Sequence, residues 1–254
     1  MILDVLKIFR GHRRQLFSVG EDTRVYAVGD IHGRADLLGA IIEEIQNDSK
    51  ASSLRRKVLV YIGDYVDRGL QSREVIDYLL SSPTREFEVV YLKGNHEAWL
   101  LEFLEGKHNG VEWFWNGGRA TLLSYGVELN ADRILEGRLD TARIQLSRNL
   151  PEAHLTFLKS LKLTHTEGDY LFVHAGVRPG KPLEAQVEAD LLWIRDEFTR
   201  NESGLGKCVV HGHTVSEAPE IRPNRIGIDT GAYATDRLTC LVLEGESRRF
   251  LCSS

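Results

Sequence analysis

The sequence of 254 residues has few cysteines and lacks the motifs of two common enzyme classes. Its three cysteines, Cys208, Cys240 and Cys252, form no CxxC pair and no even framework, which favours reduced thiols and a cytoplasmic location. Thr214 and Glu246 stand where a Cys-x5-Arg motif would place arginine, so a cysteine-dependent phosphatase is excluded. A G-x4-G-K-[ST] loop is also absent, which excludes a P-loop kinase or ATPase.

Long apolar runs and an excess of positive charge are missing as well. No run approaches the roughly 20 residues of a membrane span, so we expect no stable membrane insertion. Lys and Arg number 32 against 37 Asp and Glu, a net charge of −5, and we expect no nucleic-acid partner. Residues 1–14 begin apolar, but Asp4 and Lys7 disfavour a signal peptide. We expect a terminal helix packed on the body, or a tail; an amphipathic helix on a membrane surface is the alternative.

Short runs rich in β-branched residues, most of them followed by glycine or a polar residue, form the most regular pattern in the chain. They predict strands buried on both faces at residues 24–30, 57–64, 88–95, 169–174, 207–212, 225–229 and 237–244. The helical spacing of Leu, Ile and Val predicts helices at residues 35–47, 72–80 and 97–104. The alternation of strands and helices predicts an α/β layered domain.

Residues 105–168 differ because they contain few strand patterns. The helices predicted within this interval lie at residues 118–125, 132–148 and 151–159. We interpret the interval as a helical insertion, or cap. Near its start, Trp113, Phe114 and Trp115 are expected to form an aromatic plug that holds the cap on the sheet, and a wall of the substrate groove is the alternative. No linker rich in serine or proline separates it, so a single domain is predicted over residues 1–254.

Polar residues follow several of the predicted strands. The motifs are GDIHG (29–33), GDYVDRG (63–69), GNHE (94–97), VHAG (173–176) and HGHT (211–214). Ligands bind at the carboxyl ends of strands in open α/β sheets, so these side chains are expected to meet in one crevice. Asp and Asn oxygens together with His nitrogens favour Mn, Fe or Zn over Ca or Mg, and the set is large enough for two ions. A pair of ions can clamp the attacking and leaving oxygens of a displacement at phosphorus.

In this order, the motifs resemble those of the phosphoprotein phosphatase family of calcineurin-like metallophosphoesterases, particularly its compact bacterial and bacteriophage serine/threonine protein phosphatases. The DRG end of GDYVDRG separates this branch from nucleases and other phosphoesterases that share GNHE. The stretch GIDTGAY at residues 227–233 extends the match. The resemblance implies an α/β fold with a layered β-sandwich flanked by helices and a helical insertion.

The resemblance also implies two divalent metal ions, with Mn²⁺ as the expected metal and Fe or Zn as alternatives. The residues that would hold the first ion are Asp30, His32 and Asp64. Asp64 would bridge to the second ion, whose further ligands would be Asn95, His174 and His213. A hydroxide bridging the two ions would attack phosphorus, since divalent ions lower the pKa of bound water.

The remaining roles that the resemblance implies concern proton transfer and phosphate binding. His96 would protonate the leaving alkoxide as general acid, and Asp67 would orient it. The residues that would contact the phosphate are Arg68, Arg195, Asn95 and Tyr233. For Arg195 a surface ion pair with Asp196 or Glu197 is the alternative, and for Tyr233 ordinary packing.

The expected activity is hydrolysis of phosphoserine and phosphothreonine in proteins, with phosphoproteins or phosphopeptides as the partners. The alternative within the fold is hydrolysis of diadenosine polyphosphates or another small phosphoester, a branch that often carries Gln where this chain has His32. A third hypothesis is a catalytically inactive phosphate-binding module, but Asp67 and His96 are both present. The oligomeric state and activity toward phosphotyrosine or phosphohistidine stay open.

Overall fold

The computed structural model describes residues 16–81, 84–127, 129, 139–203 and 206–253. Its strands, in chain order, are β1 (Thr23–Val28), β2 (Arg56–Tyr61), β3 (Glu88–Tyr91), β4 (Thr164–Glu167), β5 (Tyr170–Val173), β6 (Cys208–His211), β7 (Glu220–Ile221), β8 (Arg225–Gly227), β9 (Thr239–Glu244) and β10 (Ser247–Cys252). The amphipathic segment at residues 1–14 lies outside the described residues, so its expected structure stays a prediction.

Helices fill most of the connections between these strands. In chain order they are α1 (Ala35–Lys50), α2 (Ser72–Leu80), α3 (Asn95–Leu104), α4 (Val111–Trp113), α5 (Arg119–Ser124), α6 (Asp140–Asn149), α7 (Glu152–Ser160), α8 (Glu188–Trp193), α9 (Asp196–Thr199) and α10 (Ala232–Thr235). A π-helical turn, Phe114–Gly118, joins α4 to α5. In the described part of the chain no helix is long and apolar enough to cross a membrane.

The strands form two five-stranded sheets. The first has the order β10-β9-β1-β2-β3, in which β1, β2 and β3 are parallel and β9 and β10 run antiparallel. The second has the order β4-β5-β6-β8-β7, in which β5, β6 and β8 are parallel. The two edge strands of this second sheet, β4 and β7, are antiparallel to their neighbours.

The apolar faces of the two sheets pack against each other. Val25 and Ala27 of β1 share one buried cluster with Phe172 of β5 and Val210 of β6. Because successive side chains of a strand point to opposite faces, Tyr26 of β1 packs into a different cluster, together with the buried residues of α1 and α2. A third cluster joins residues of β5 and β6 to α8 and α9. The architecture is therefore a layered β-sandwich flanked by helices, as the family resemblance implied.

All seven predicted strand intervals overlap observed strands, and the helices predicted at residues 35–47, 72–80 and 97–104 are α1, α2 and α3. The helices predicted at residues 118–125 and 151–159 are α5 and α7. The interval 105–168 holds α4 to α7, but its last part is not helical. Residues Thr164–Glu167 form β4, which pairs antiparallel with β5. This edge strand reads THTE, and its polar side chains are exposed or half-buried, so it carries no buried-strand pattern. Of the helix predicted at 132–148, residues 132–138 lie outside the described part of the chain.

Candidate metal centre and active site

The loops that follow the strands of both sheets bring the predicted ligands together. Asp30 and His32 follow β1, Asp64 follows β2, and Asn95 begins α3 after β3, all in the first sheet. From the second sheet, His174 follows β5 and His213 follows β6. None of these side chains is more than 6% exposed. Polar groups this deeply buried need partners, so the contacts of each one decide what the site can hold.

His32, Asp64 and His96 form the first cluster of potential ligands, with ligand atoms within 4.8 Å of one another. His32 Nδ1 lies 2.9 Å from the carbonyl oxygen of Val66, which can only accept, so this nitrogen carries the proton. Burial lowers the pKa of His32 to about 3, so its Nε2 bears a lone pair. This Nε2 is 3.4 Å from Asp64 Oδ2, and two such acceptors repel each other unless a cation lies between them.

Asp64, His174 and His213 form the second cluster, so that Asp64 is common to both. His174 Nδ1 lies 3.0 Å from the carbonyl oxygen of Ile62, which leaves Nε2 as the acceptor because burial also lowers the pKa of His174. This Nε2 is 2.8 Å from Asn95 Oδ1 and 3.4 Å from Asp64 Oδ1. Burial lowers the pKa of His213 to about 2, and its Nε2 has no hydrogen-bond partner.

The charges and the backbone around Asp30 also fit cations. Asp30 Oδ1 is buried without a partner, and burial, Asp229 and Asp64 raise the pKa of Asp30 well above its usual value. A Cβ at Gly212 would collide with Asp30 Oδ1, and one at Gly94 would collide with Asp64 Oδ1. These glycines let the chain approach the carboxylates closely. Buried carboxylates and neutral imidazoles that converge on shared space are the donor set of a divalent transition-metal site.

The loops of the site are held in a backbone conformation that ordinary residues rarely adopt. Several non-glycine residues of the site have positive φ: His32 (47°), Asp64 (53°), Asp67 (72°), Arg68 (66°) and His213 (61°). Each such residue costs on the order of 1–2 kcal/mol relative to the right-handed region. Strain of this kind persists only where surrounding contacts over-determine the loop.

Glu97 supplies those contacts for the loop after β2, although the sequence analysis assigned it no role. Its fully buried carboxylate accepts backbone N–H groups from Asp64 (2.9 Å), Tyr65 (2.7 Å), Val66 (3.3 Å) and Gly94 (2.9 Å). It thereby ties the loops after β2 and β3 to each other. The signal in the sequence was the final residue of GNHE, which stands in the first turn of α3 and caps it.

His96 and Asp67 form a buried pair beside the first cluster. His96 Nδ1 is 2.6 Å from Asp67 Oδ2, and His96 Nε2 is 3.9 Å from Asp64 Oδ2. Burial opposes the charged imidazole, but the carboxylates of Asp64 and Asp67 outweigh it and raise the pKa of His96. Asp67 accepts two further hydrogen bonds, from Trp113 Nε1 at 2.8 Å and Thr121 Oγ1 at 2.5 Å. The segment predicted as a plug therefore also reaches the pair.

The predicted phosphate-binding residues stand at the rim. The guanidinium of Arg68 lies 4.5 Å from the ring centre of Tyr233, and the ring of Tyr233 lies 5.5 Å from that of His32. Arg195 Nη1 donates to the carbonyl oxygen of His213 at 3.0 Å, which fixes it beside the second cluster. The alternative partners of Arg195 are engaged elsewhere, since Asp196 pairs with Arg200 and Glu197 with Arg178.

An aromatic wall, which we define as Trp99 and Trp193, borders the same crevice. Their ring centres are 4.6 Å apart. Trp99 lies 5.5 Å from the ring of His96, and Trp193 lies 6.2 Å from the ring of His213. Trp193 is 38% exposed, so a flat surface faces solvent next to the second cluster. The sequence analysis missed this wall because its two residues are far apart in the chain.

Buried carboxylates and imidazoles with arginines at the rim are the combination found in metal-dependent hydrolases of phosphate esters. The fold and the site therefore define this class of protein. The comparison with protein families agrees. Residues 23–242 match the calcineurin-like phosphoesterase family. The chain therefore belongs to that family.

Relatives of the chain carry two different activities in their names. It is 27% identical over 233 residues to the bis(5'-nucleosyl)-tetraphosphatase PrpE of Anoxybacillus flavithermus, covering 84% of this chain and 88% of that one. It is 26% identical over 235 residues to serine/threonine-protein phosphatase 2 of Escherichia coli, and the alignment covers 89% of this chain and 96% of that one. Among solved structures, a cold-active protein tyrosine phosphatase shares the fold with a TM-score of 0.53 at 18% identity, covering 92% of this chain and 81% of that one.

Proposed function

We propose that the chain removes phosphate from phosphoserine and phosphothreonine in proteins, with the help of two divalent metal ions. The observation that carries this proposal is the pair of ligand clusters that share Asp64, next to the buried His96–Asp67 pair. Two ion positions, a proton donor and rim arginines are the components that hydrolysis of a phosphomonoester needs.

The proposed ligand sets draw on the two clusters but are not identical to them. Asp30, whose Oδ1 is buried without a partner, would join His32 and Asp64 at the first ion in place of His96, which is kept as the proton donor. Asn95 would join Asp64, His174 and His213 at the second ion. Such ions act as Lewis acids toward phosphate oxygens and lower the pKa of water to near neutrality. We propose Mn²⁺ as the metal, because the set mixes oxygen with nitrogen donors, and Fe or Zn would suit the same donors.

His96 is proposed as the general acid. Its Nδ1–H is fixed on Asp67, so Nε2 is the nitrogen that faces the crevice between the clusters. A serine or threonine alkoxide is a poor leaving group, and a proton from Nε2 would let it depart as an alcohol. Asp67 keeps the ring in this orientation and stabilises its charged form.

The phosphate itself would be held by charge and hydrogen bonds. Arg68 and Arg195 flank the two clusters and offer planar sets of donors that suit phosphate oxygens. Asn95 and Tyr233 complete the set of proposed contacts. Because this binding is electrostatic, it would stabilise the transition state as well as the substrate.

The choice of phosphoproteins as the proposed substrates rests on two observations. A relative that aligns over most of its length is named a serine/threonine-protein phosphatase, and position 32 holds His rather than the Gln frequent in dinucleotide hydrolases of this fold. We further propose a cytoplasmic location, because Cys208, Cys240 and Cys252 are all free thiols.

A second candidate function is hydrolysis of dinucleoside tetraphosphates. The aromatic wall favours it, since the exposed ring of Trp193 offers a surface on which a nucleobase could stack. The relative from Anoxybacillus carries that activity in its name.

The experiment that separates the two functions compares substrates side by side. The Mn-loaded protein is given phosphoserine peptides or diadenosine tetraphosphate, each with and without a chelator. Faster, chelator-sensitive phosphate release from the peptides supports the protein phosphatase, and preference for the dinucleotide supports the second function. Absence of turnover on both substrates, with metal bound, would contradict both and favour a phosphate-binding module.

A further inference from the structure

Arg195 has an exposed side chain and stands in a short connection between two helices. The connection consists of Ile194 and Arg195, between the end of α8 at Trp193 and the start of α9 at Asp196. The guanidinium of Arg195 donates to the carbonyl oxygen of His213 at 3.0 Å. A long side chain on such a connection is placed only as accurately as the backbone on either side of it. The contacts that fix α8 and α9 therefore decide where the guanidinium of Arg195 lies.

Arg178, in the loop after β5, binds a carboxylate of each of these helices. Its Nε donates to Asp190 Oδ2 at 2.9 Å, and its Nη2 donates to Asp190 Oδ1 at 2.6 Å. Asp190 belongs to α8. The third nitrogen of the guanidinium, Nη1, donates to the carboxylate of Glu197 in α9. One guanidinium thus joins the two helices across the connection that carries Arg195.

These contacts are fixed more firmly than those of an ordinary surface ion pair. Asp190 is 7% exposed, and Arg178 contacts both of its oxygens in a planar, two-point arrangement that adds geometric specificity. The backbone of Arg178 is held as well. Its N–H donates to Gln186 Oε1 at 2.8 Å, and its carbonyl oxygen accepts from Gln186 Nε2 at 3.0 Å. Arg178 is therefore a fixed point to which both helices are attached.

The loop after β5 contacts the same helices in two further places. The N–H of Ala175 donates to the carbonyl oxygen of Leu191 in α8 at 2.9 Å. The ring of Phe198 in α9 lies so close to Gly176 that a Cβ there would approach it to 2.3 Å. This loop begins with His174, a member of the second ligand cluster. The loop therefore sets α8 and α9, and with them Arg195, relative to that cluster.

We propose that Arg178 is a positioning residue for Arg195. By holding Asp190 and Glu197 together, it fixes the guanidinium of Arg195 at the phosphate position beside the second ligand cluster. The proposal rests on the proposed function, because it takes Arg195 to bind the phosphate of the substrate. Arg178 does not itself contact that phosphate, since its Nε, Nη1 and Nη2 all donate to the two carboxylates.

The test measures the binding of inorganic phosphate to the metal-loaded full chain by isothermal titration calorimetry. Phosphate is the probe because it carries the oxygens that Arg195 is proposed to bind. Arg178→Gln removes the charge that joins the helices and should weaken phosphate binding about ten-fold. Arg178→Lys should weaken it less, because an ammonium group can still hold one of the two carboxylates.

Arg56→Gln is the matched control. Arg56 also bridges two carboxylates, those of Glu88 and Glu167, and its side chain is 39% exposed, as is that of Arg178. Arg56 stands at the start of β2, whereas Asp64 follows the other end of that strand. Arg56→Gln should therefore lower the stability, measured by urea unfolding, and leave phosphate binding unchanged.

The decisive measurement repeats the substitutions at position 178 in an Arg195→Gln background. If Arg178 acts through Arg195, then Arg178→Gln and Arg178→Lys should have no further effect on phosphate binding there. Weakening that disappears in this background supports the proposal. Phosphate binding that Arg178→Gln leaves unchanged, or weakens equally with and without Arg195, overturns it.

Failure of the proposed function would look different from failure of this proposal. A protein that does not hydrolyse phosphoserine peptides would contradict the proposed function in the comparison of substrates. The dependence of phosphate binding on Arg178 through Arg195 would still be measured, because the calorimetric experiment requires no turnover.

Discussion

The indole N–H of Trp113 donates to Asp67 Oδ2, the same oxygen that lies 2.6 Å from His96 Nδ1. The contact joins the α4–α5 segment to the residue proposed to orient the general acid. Arg68, next in the chain, donates its backbone N–H to the carbonyl oxygen of Gly117 in the same segment. The segment therefore supports the loop that holds Asp67 as well as packing on α2 and α3.

Replacing Trp113 tests this support. Trp113→Phe keeps a smaller aromatic ring at this position but removes the hydrogen bond to Asp67. This loss should lower kcat on phosphoserine peptides about ten-fold. KM should change much less, because the arginines proposed to bind the phosphate stay in place. Trp115→Phe is the matched control, since Trp115 is 65% exposed in the same segment. Steady-state kinetics that show equal effects of the two substitutions would contradict the assigned role.

His96→Asn removes the proposed acid and none of the proposed metal ligands. We expect kcat on phosphoserine peptides to fall by roughly 10²–10⁴-fold, the usual contribution of a general acid. The metal content, measured by mass spectrometry of the purified protein, should match that of the wild type. Retained turnover would show that the proton reaches the leaving group by another route.

Asp64→Asn should affect the metal itself. Asp64 is common to both ligand clusters, so losing its charge should lower occupancy at both positions rather than at one. Asp67→Asn is the control, because Asp67 contacts His96, Trp113 and Thr121 and lies outside both clusters. Metal analysis should find depletion in Asp64→Asn alone, and an unchanged metal content there would remove the shared-ligand assignment.

Asp48 should make the fold sensitive to acid. Burial alone would raise its pKa, but hydrogen bonds from Arg249 and Tyr26 hold the pKa of Asp48 below its usual value. A lowered pKa contributes stability that is fully present above the unfolded pKa of about 4 and is lost as the pH falls through the folded value. Asp48→Asn should therefore cost about 2 kcal/mol of unfolding free energy at pH 7 and much less near pH 3.

Urea unfolding at both pH values measures this difference. Asp196→Asn serves as the control, because its ion pair with Arg200 lies on the surface, where such pairs contribute little. A destabilisation by Asp48→Asn that is the same at pH 3 and pH 7 would show that the carboxylate charge is not what matters.

The parallel strands could be predicted from the sequence and three antiparallel strands could not, for a physical reason. The residues of β5 and β6 are buried on both faces, so they form continuous apolar runs. In contrast, β4 and β10 lie at sheet edges with polar residues on them, and β7 has two residues. Such strands are specified by their neighbours rather than by their own composition.

The residues of the site also divide into those that could be predicted from the sequence and those that could not. The motif residues could be placed because each follows a predicted strand, and the structure brings all of them to one crevice. Thr121 and Trp113 could not be linked to Asp67, since they lie 54 and 46 residues further along the chain. Asp229 was noted only within a motif, yet it acts on the pKa of Asp30 across the site. Contacts between distant segments leave no local pattern.

The second ligand cluster takes Asp64 from one sheet and His174 and His213 from the other. A bound ion would thus link loops of the two sheets and stabilise their packing against each other. Ligands that bind only the folded state raise its stability in proportion to the logarithm of their concentration. Chelation should consequently lower the melting temperature, measured by calorimetry, as well as the activity. In a cell short of metal, both the amount of folded protein and its catalytic activity would then fall.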